Sequence, residues 1–189
     1  MSDFRVLTVC TGNVCRSPAA AVMLRRGLRI AGLADRVEVQ SGGTSWESEG
    51  SPMDDRTILA LERAGYEKPF EHCARIIHQS EMSQWDLVLA MTAEHAETMR
   101  RKVDQIPEGT RRPEVFLWRE FDPVAPTTAR EEELAVKDPW YSGQKAFDRM
   151  VLHMERSVPS LVLYIRGRLR EAAARSGGGA TGAAEADSG

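Results

Sequence analysis

The sequence predicts an α/β fold, with a parallel sheet flanked by helices. Three observations lead there. Short apolar runs rich in β-branched residues recur at 4–10, 37–40, 87–91 and 115–117. Helical patterns, with apolar residues at steps of three and four, follow at 18–31, 54–64, 93–103 and 145–170. Strands that alternate with helices pair in parallel through right-handed crossovers.

Phe4, Val6, Leu7, Val9 and Cys10 make the first strand a buried one. Gly12 and Asn13 come next, and both tolerate unusual backbone angles. Ser17 is a good N-cap and Pro18 suits the first helical position, so a helix is expected to start there. Ala20, Met23, Leu24, Gly27, Leu28 and Ala31 fall near one face of that helix. The last helical pattern holds Phe147, Met150, Val151, Met154, Val158, Leu161, Val162, Ile165 and Leu169. Pro159 inside it implies a kink or a break. Ligands of parallel sheets sit at the carboxyl ends of the strands, which is where Cys10 falls.

Cys10 to Ser17 is therefore a tight loop between a strand and a helix. Its backbone N–H groups can converge on one point at the positive end of the helix dipole. A helix N-terminus and a nearby cation favour the thiolate form of a cysteine, and Cys10 has both. Arg16 offers a planar fork of donors that matches two phosphate oxygens, which a lysine would not. A thiolate held against a phosphate dianion can attack phosphorus and form a phosphocysteine. Ser17 can donate a hydrogen bond to the sulfur and ease its later departure. Alone, Cys10 reads as a buried strand cysteine and Arg16 as a solvated helix-terminal charge. Together, in the run Cys10-Thr11-Gly12-Asn13-Val14-Cys15-Arg16-Ser17-Pro18, they point to phosphate chemistry.

The chain resembles the low-molecular-weight protein tyrosine phosphatases, in a bacterial form. That family carries Val-Cys-x-Gly-Asn-x-Cys-Arg-Ser-Pro near its N-terminus and Asp-Pro-aromatic near its C-terminus. Val9 to Pro18 and Asp138-Pro139-Trp140-Tyr141 match those motifs here. Ser41-Gly42-Gly43-Thr44, His72-Cys73-Ala74-Arg75, Asp86 to Met91 and Phe121-Asp122-Pro123 match in family order. The resemblance implies a four-stranded parallel sheet with helices on both faces and a phosphate-binding loop after the first strand. It also implies hydrolysis of phosphotyrosine, with Cys10, Arg16 and Asp138 catalytic and no cofactor or metal. Thr11, Gly12, Asn13, Val14, Cys15 and Ser17 are expected to bind the substrate's phosphate. His72 is expected to hold the loop together with Asn13, Ser17 and Ser41, with Arg75 in support. Two positions depart from many relatives: Ala21 replaces a glutamate, and Thr92 replaces an aspartate.

Asp138 completes a mechanism. A phenolate leaving group needs a proton, which a carboxylic acid can give, and the resulting carboxylate can then activate water. Pro139 keeps Asp138 extended and helps to aim it. The acidic run Glu131-Glu132-Glu133 reads as a solvated face. Trp46, Trp140 and Tyr141 are expected to wall a deep slot that suits phosphotyrosine and leaves phosphoserine too short. Protein arginine phosphatases share the resemblance, including Leu89-Ala90-Met91-Thr92, but carry a threonine where this chain has Val14. Thiol-dependent arsenate reduction would need further cysteines, and none follows Cys73. A phosphate-binding module without catalysis would not need the Cys10, Arg16 and Asp138 set.

Length fits one domain, residues 1–175, with a core of its own. The stretch 176–189 is small and flexible and is expected to be a disordered tail. A net charge of −3 gives no support for nucleic-acid or membrane partners. No apolar run could span a bilayer and no secretory signal is visible. A required thiolate suits a reducing compartment. The expectation is a cytoplasmic monomer acting on a phosphotyrosine-containing protein. Cys15 is either a partner for a reversible disulfide with Cys10 under oxidants or a buried loop residue. Cys73 is expected to be structural.

Overall fold

The computed structural model describes residues 2–177. Four strands form one parallel sheet: β1 (Phe4–Cys10), β2 (Val37–Gly43), β3 (Leu87–Ala90) and β4 (Glu114–Leu117), in the order β2-β1-β3-β4. In register, Cys10 lies opposite Gly43 and Val9 opposite Ala90, so three strands end together beside Cys10. The helices are α1 (Arg16–Ile30), α2 (Asp55–Arg63), α3 (Ala93–Asp104), α4 (Gln144–Glu155) and α5 (Val158–Gly177).

Both faces of the sheet are covered, as parallel strands require. Val6, Leu87 and Leu89 pack with Leu24 of α1, Met150 of α4 and Leu161 of α5. Their neighbours in sequence, Leu7, Val9 and Val88, point the other way and pack with Trp85, Met99 of α3 and Ile106. Among the described residues no helix is long and apolar enough to cross a membrane.

Several boundaries differ from expectation. The first helix starts at Arg16 with Cys15 as its N-cap residue, so Ser17 is not the cap and Pro18 is the third helical residue. The reason lies in the hydroxyl of Ser17, which is engaged with Cys10 and Asn13 instead of a helix N–H. The pattern at 145–170 is two helices, parted at Arg156 and Ser157, with Pro159 in the first turn of α5 where its missing N–H costs nothing. Ser176 and Gly177 close α5, and the remainder of the expected tail lies outside the described residues. Cys73 is free and exposed.

Candidate active site

The loop between β1 and α1 is held from outside by its carbonyl groups. Thr44 N–H donates to Cys10 O at 3.0 Å, and Ser45 N–H to Thr11 O at 3.0 Å. His72 Nε2 donates to Asn13 O at 2.6 Å, and Asp54 N–H donates to Val14 O at 3.0 Å. Cys15 O accepts from Ala19 N–H inside the helix at 3.2 Å. In a trans peptide the N–H of the next residue points opposite to the carbonyl. The N–H groups of Thr11, Gly12, Val14, Cys15 and Arg16 are therefore turned away from these contacts. None of the five donates to a protein group among the described residues.

Two residues make that turn possible. Asn13 has φ 55°, the left-handed region that asparagine tolerates better than most residues. Its side chain repays the strain: Nδ2 donates to Ser17 Oγ at 2.9 Å, and Oδ1 accepts from Arg75 N–H at 3.0 Å. Gly43 lets β2 run close behind, because a Cβ there would lie 2.6 Å from Thr11 O. Asn13 and Ser17 are fully buried, so they hold the loop from behind and do not line the cavity as substrate contacts. Ser41 makes no side-chain hydrogen bond to this network among the described residues, contrary to expectation. Arg75 supports the loop through its backbone, while its side chain pairs with Glu81 at 2.8 Å.

Cys10, Arg16 and Asp138 meet at one cavity of about 370 Å³. Cys10 is buried, with Sγ 3.0 Å from Ser17 Oγ. Arg16 is buried too: Nη1 donates to Val136 O at 3.4 Å and Nη2 to Asp138 Oδ2 at 2.5 Å. Its Nε has no hydrogen-bond partner among the described residues. Asp138 stands half-exposed at the rim, and its Oδ1 accepts the N–H of Trp140 at 3.0 Å. That local bond and Pro139 fix the direction of the carboxyl.

Thr11, Gly12, Val14, Cys15, Trp140 and Tyr141 also line the cavity. Trp46 does not. It is 73% exposed on the turn after β2, where its carbonyl accepts from Glu49 N–H, and Glu47 and Ser48 take its place on the wall. Val14 presents methyl groups and no hydroxyl. Cys15 is buried, and that burial pushes its thiol up to about 12, so it stays protonated. Cys10 and Cys15 are both free.

Two positions escaped the sequence reading. His95, in the first turn of α3, is buried with Nε2 2.9 Å from Thr11 Oγ1 and Nδ1 2.9 Å from Thr92 Oγ1. Burial, and then Arg16, push its pKa down to about 4, against a smaller pull from Asp138. The signal available in the sequence was Thr92 itself, a capping residue three positions earlier that stood out only as a departure. Arg56, in the first turn of α2, pairs with Asp54 and donates from Nη1 to Trp140 O at 3.0 Å and Ser142 O at 3.2 Å. It thus ties the Asp138 segment to the element that holds Val14.

The chain matches a sequence model of the low molecular weight phosphotyrosine protein phosphatases over residues 5–173. It is 36% identical over 171 residues to a low molecular weight protein-tyrosine-phosphatase of Streptomyces coelicolor, covering 90% of this chain and 99% of that one. It is 35% identical over 170 residues to low molecular weight protein-tyrosine phosphatase A of Mycobacterium tuberculosis, covering 89% of this chain and 96% of that one. Among solved structures, a protein tyrosine phosphatase from Entamoeba histolytica superposes with a TM-score of 0.73 at 26% identity, covering 87% of this chain and 97% of that one.

Proposed function

The chain belongs to the low molecular weight phosphotyrosine protein phosphatase family, and we propose that it hydrolyses phosphotyrosine in proteins through a phosphocysteine on Cys10. One observation carries this reading: five N–H groups of the loop that lines the cavity with Cys10, and the Nε of buried Arg16, have no hydrogen-bond partner among the described residues. Such an array stabilises a dianion and, more strongly, the charge on the equatorial oxygens of a phosphoryl group in transit.

The phosphate dianion takes the Arg16 donor now shared with Asp138. The exchange frees the carboxyl, which acts here in its acid form. Cys10 Sγ attacks phosphorus, the bond from phosphorus to the phenolic oxygen breaks, and Asp138 gives its proton to that oxygen. Asp138, now a carboxylate, takes a proton from water as the water oxygen bonds to phosphorus. The bond from sulfur to phosphorus breaks and Cys10 leaves as a thiolate. A thiolate only accepts, so Ser17 Oγ–H donates to it, oriented by the N–H it receives from Asn13 Nδ2. No metal or cofactor is needed for either step, because Arg16 and the loop supply the positive field.

Trp140 and Tyr141 on the rim, and the methyl lining from Val14, favour an aryl ester over a phosphoguanidinium. A cytoplasmic, monomeric enzyme fits this reading, since the thiolate must stay reduced. The test compares phosphotyrosine and phosphoarginine peptides at one enzyme concentration. Faster release of phosphate from phosphotyrosine is expected, and preference for phosphoarginine would overturn the substrate.

A further inference from the structure

Thr92, His95 and Thr11 form a hydrogen-bonded chain that ends in the cavity, and its proton direction follows from counting donors. Thr92 Oγ1 accepts the backbone N–H of His95 at 3.3 Å as the cap of α3, and the same oxygen lies 2.9 Å from His95 Nδ1. A neutral imidazole has one N–H and one acceptor nitrogen. With the proton on Nδ1, Thr92 Oγ1 would receive two donors and its own hydrogen would have no acceptor among the described residues. With Thr92 donating to Nδ1, every group is used and the N–H falls on Nε2. A protonated ring would leave Nε2 a donor all the same. Nε2–H then donates to Thr11 Oγ1 at 2.9 Å, and Arg16 Nη2 donates to the same oxygen at 3.4 Å. Both lone pairs of that hydroxyl are engaged, and its hydrogen is directed elsewhere. Thr11 is exposed and lines the cavity beside Cys10.

We propose that His95 fixes the Thr11 hydroxyl as a hydrogen-bond donor into the phosphate cradle, so that Thr11 binds a phosphoryl oxygen through its side chain and His95 is the positioning residue behind it. The inference rests on reading the cavity as a phosphate site. It also gives Thr92 a purpose: a hydroxyl can accept from the helix and donate to the ring at once, whereas a carboxylate can only accept.

Inorganic phosphate, as a competitive inhibitor of aryl-phosphate turnover, is the probe. Thr11→Val is expected to weaken inhibition roughly tenfold, as loss of one hydrogen bond to a charged group implies. Thr11→Ser restores it. A glutamine amide reaches the place of Nε2 and can donate, while an asparagine stops at Nδ1. His95→Gln should therefore stay near wild type, and His95→Asn should match Thr11→Val. The double variant should be no worse than Thr11→Val alone. Unchanged inhibition of Thr11→Val, loss in His95→Gln, or a full added effect of His95→Asn on Thr11→Val would each overturn the proposal. Arg16→Lys separates the two readings. If it weakens phosphate and Thr11→Val does not, only the role of Thr11 fails; if neither weakens it, the cavity is not a phosphate site.

Discussion

Arg16 and Asp138, 122 residues apart in the chain, share a hydrogen bond of 2.5 Å. The proposed phosphate binder and the proposed acid thus hold one another in place. Substrate binding has to exchange this contact, and the exchange frees the Asp138 carboxyl for proton transfer. Asp138→Ala should cut kcat/KM for a phenyl ester, a poor leaving group, by roughly 10²–10⁴ and that for a nitrophenyl ester far less, because kcat/KM reports only the steps up to release of the phenol. A plot of kcat/KM against leaving-group acidity checks this, and equal losses of kcat/KM for both esters would remove Asp138 from proton transfer to the leaving group.

Arg56 brackets the same segment. It bonds to the carbonyls of Trp140 and Ser142, and its guanidinium lies 5.4 Å from the Trp140 ring centroid. Arg56→Ala should lower kcat on a phenyl ester by roughly tenfold, because small displacements of a catalytic group are expensive. Inhibition by phosphate should hold steady, since the cradle is untouched. Steady-state kinetics with phosphate as inhibitor tell these apart.

Much of this was legible in the sequence because it is local. The apolar runs set the strands, and the loop from Cys10 to Ser17 declared its chemistry through residue types at fixed spacing. What was not legible depends on long-range contact. His95 and Arg56 look like ordinary helix residues until the fold brings them to Thr11 and Trp140. Trp46 has the right composition for a slot wall, yet the turn after β2 points it to solvent. Ser17 reads as a cap by propensity, but a buried thiol and amide compete for its hydroxyl and win.

Gly43 sets the approach of β2 to the loop. A Cβ at that position would lie 2.6 Å from the backbone oxygen of Thr11, so Gly43→Ala must shift the loop itself. A cost of about 1–3 kcal/mol in stability is expected, typical of overpacking. Activity should fall by more than the folded fraction does, because the Gly12 N–H turns with that carbonyl. Urea unfolding and turnover on one sample check the comparison.

Acid should destabilise the fold partly through His95. Its folded pKa, pushed down to about 4, lies below the unfolded value near 6.5, so the unfolded chain takes up the proton first. The stability carried by the neutral ring is complete above about pH 6.5 and is lost as pH falls through about 4, a span of about 3 kcal/mol. His72, also held below its ordinary value by burial, acts in the same direction. The fall in Tm between pH 6.5 and 4 should be shallower in His95→Gln than in wild type. Parallel curves would contradict the shift.

The central claim is that Cys10 carries the phosphoryl group. Asp138→Ala, supplied with a nitrophenyl ester, lacks the base that clears the intermediate, so the intermediate should accumulate. The most direct measurement is intact and peptide mass spectrometry of that variant after acid quench. One added phosphoryl group on the peptide containing Cys10, absent in Cys10→Ser, is the expected result. Full turnover by Cys10→Ser, or a phosphoryl group found on any other residue, would contradict it.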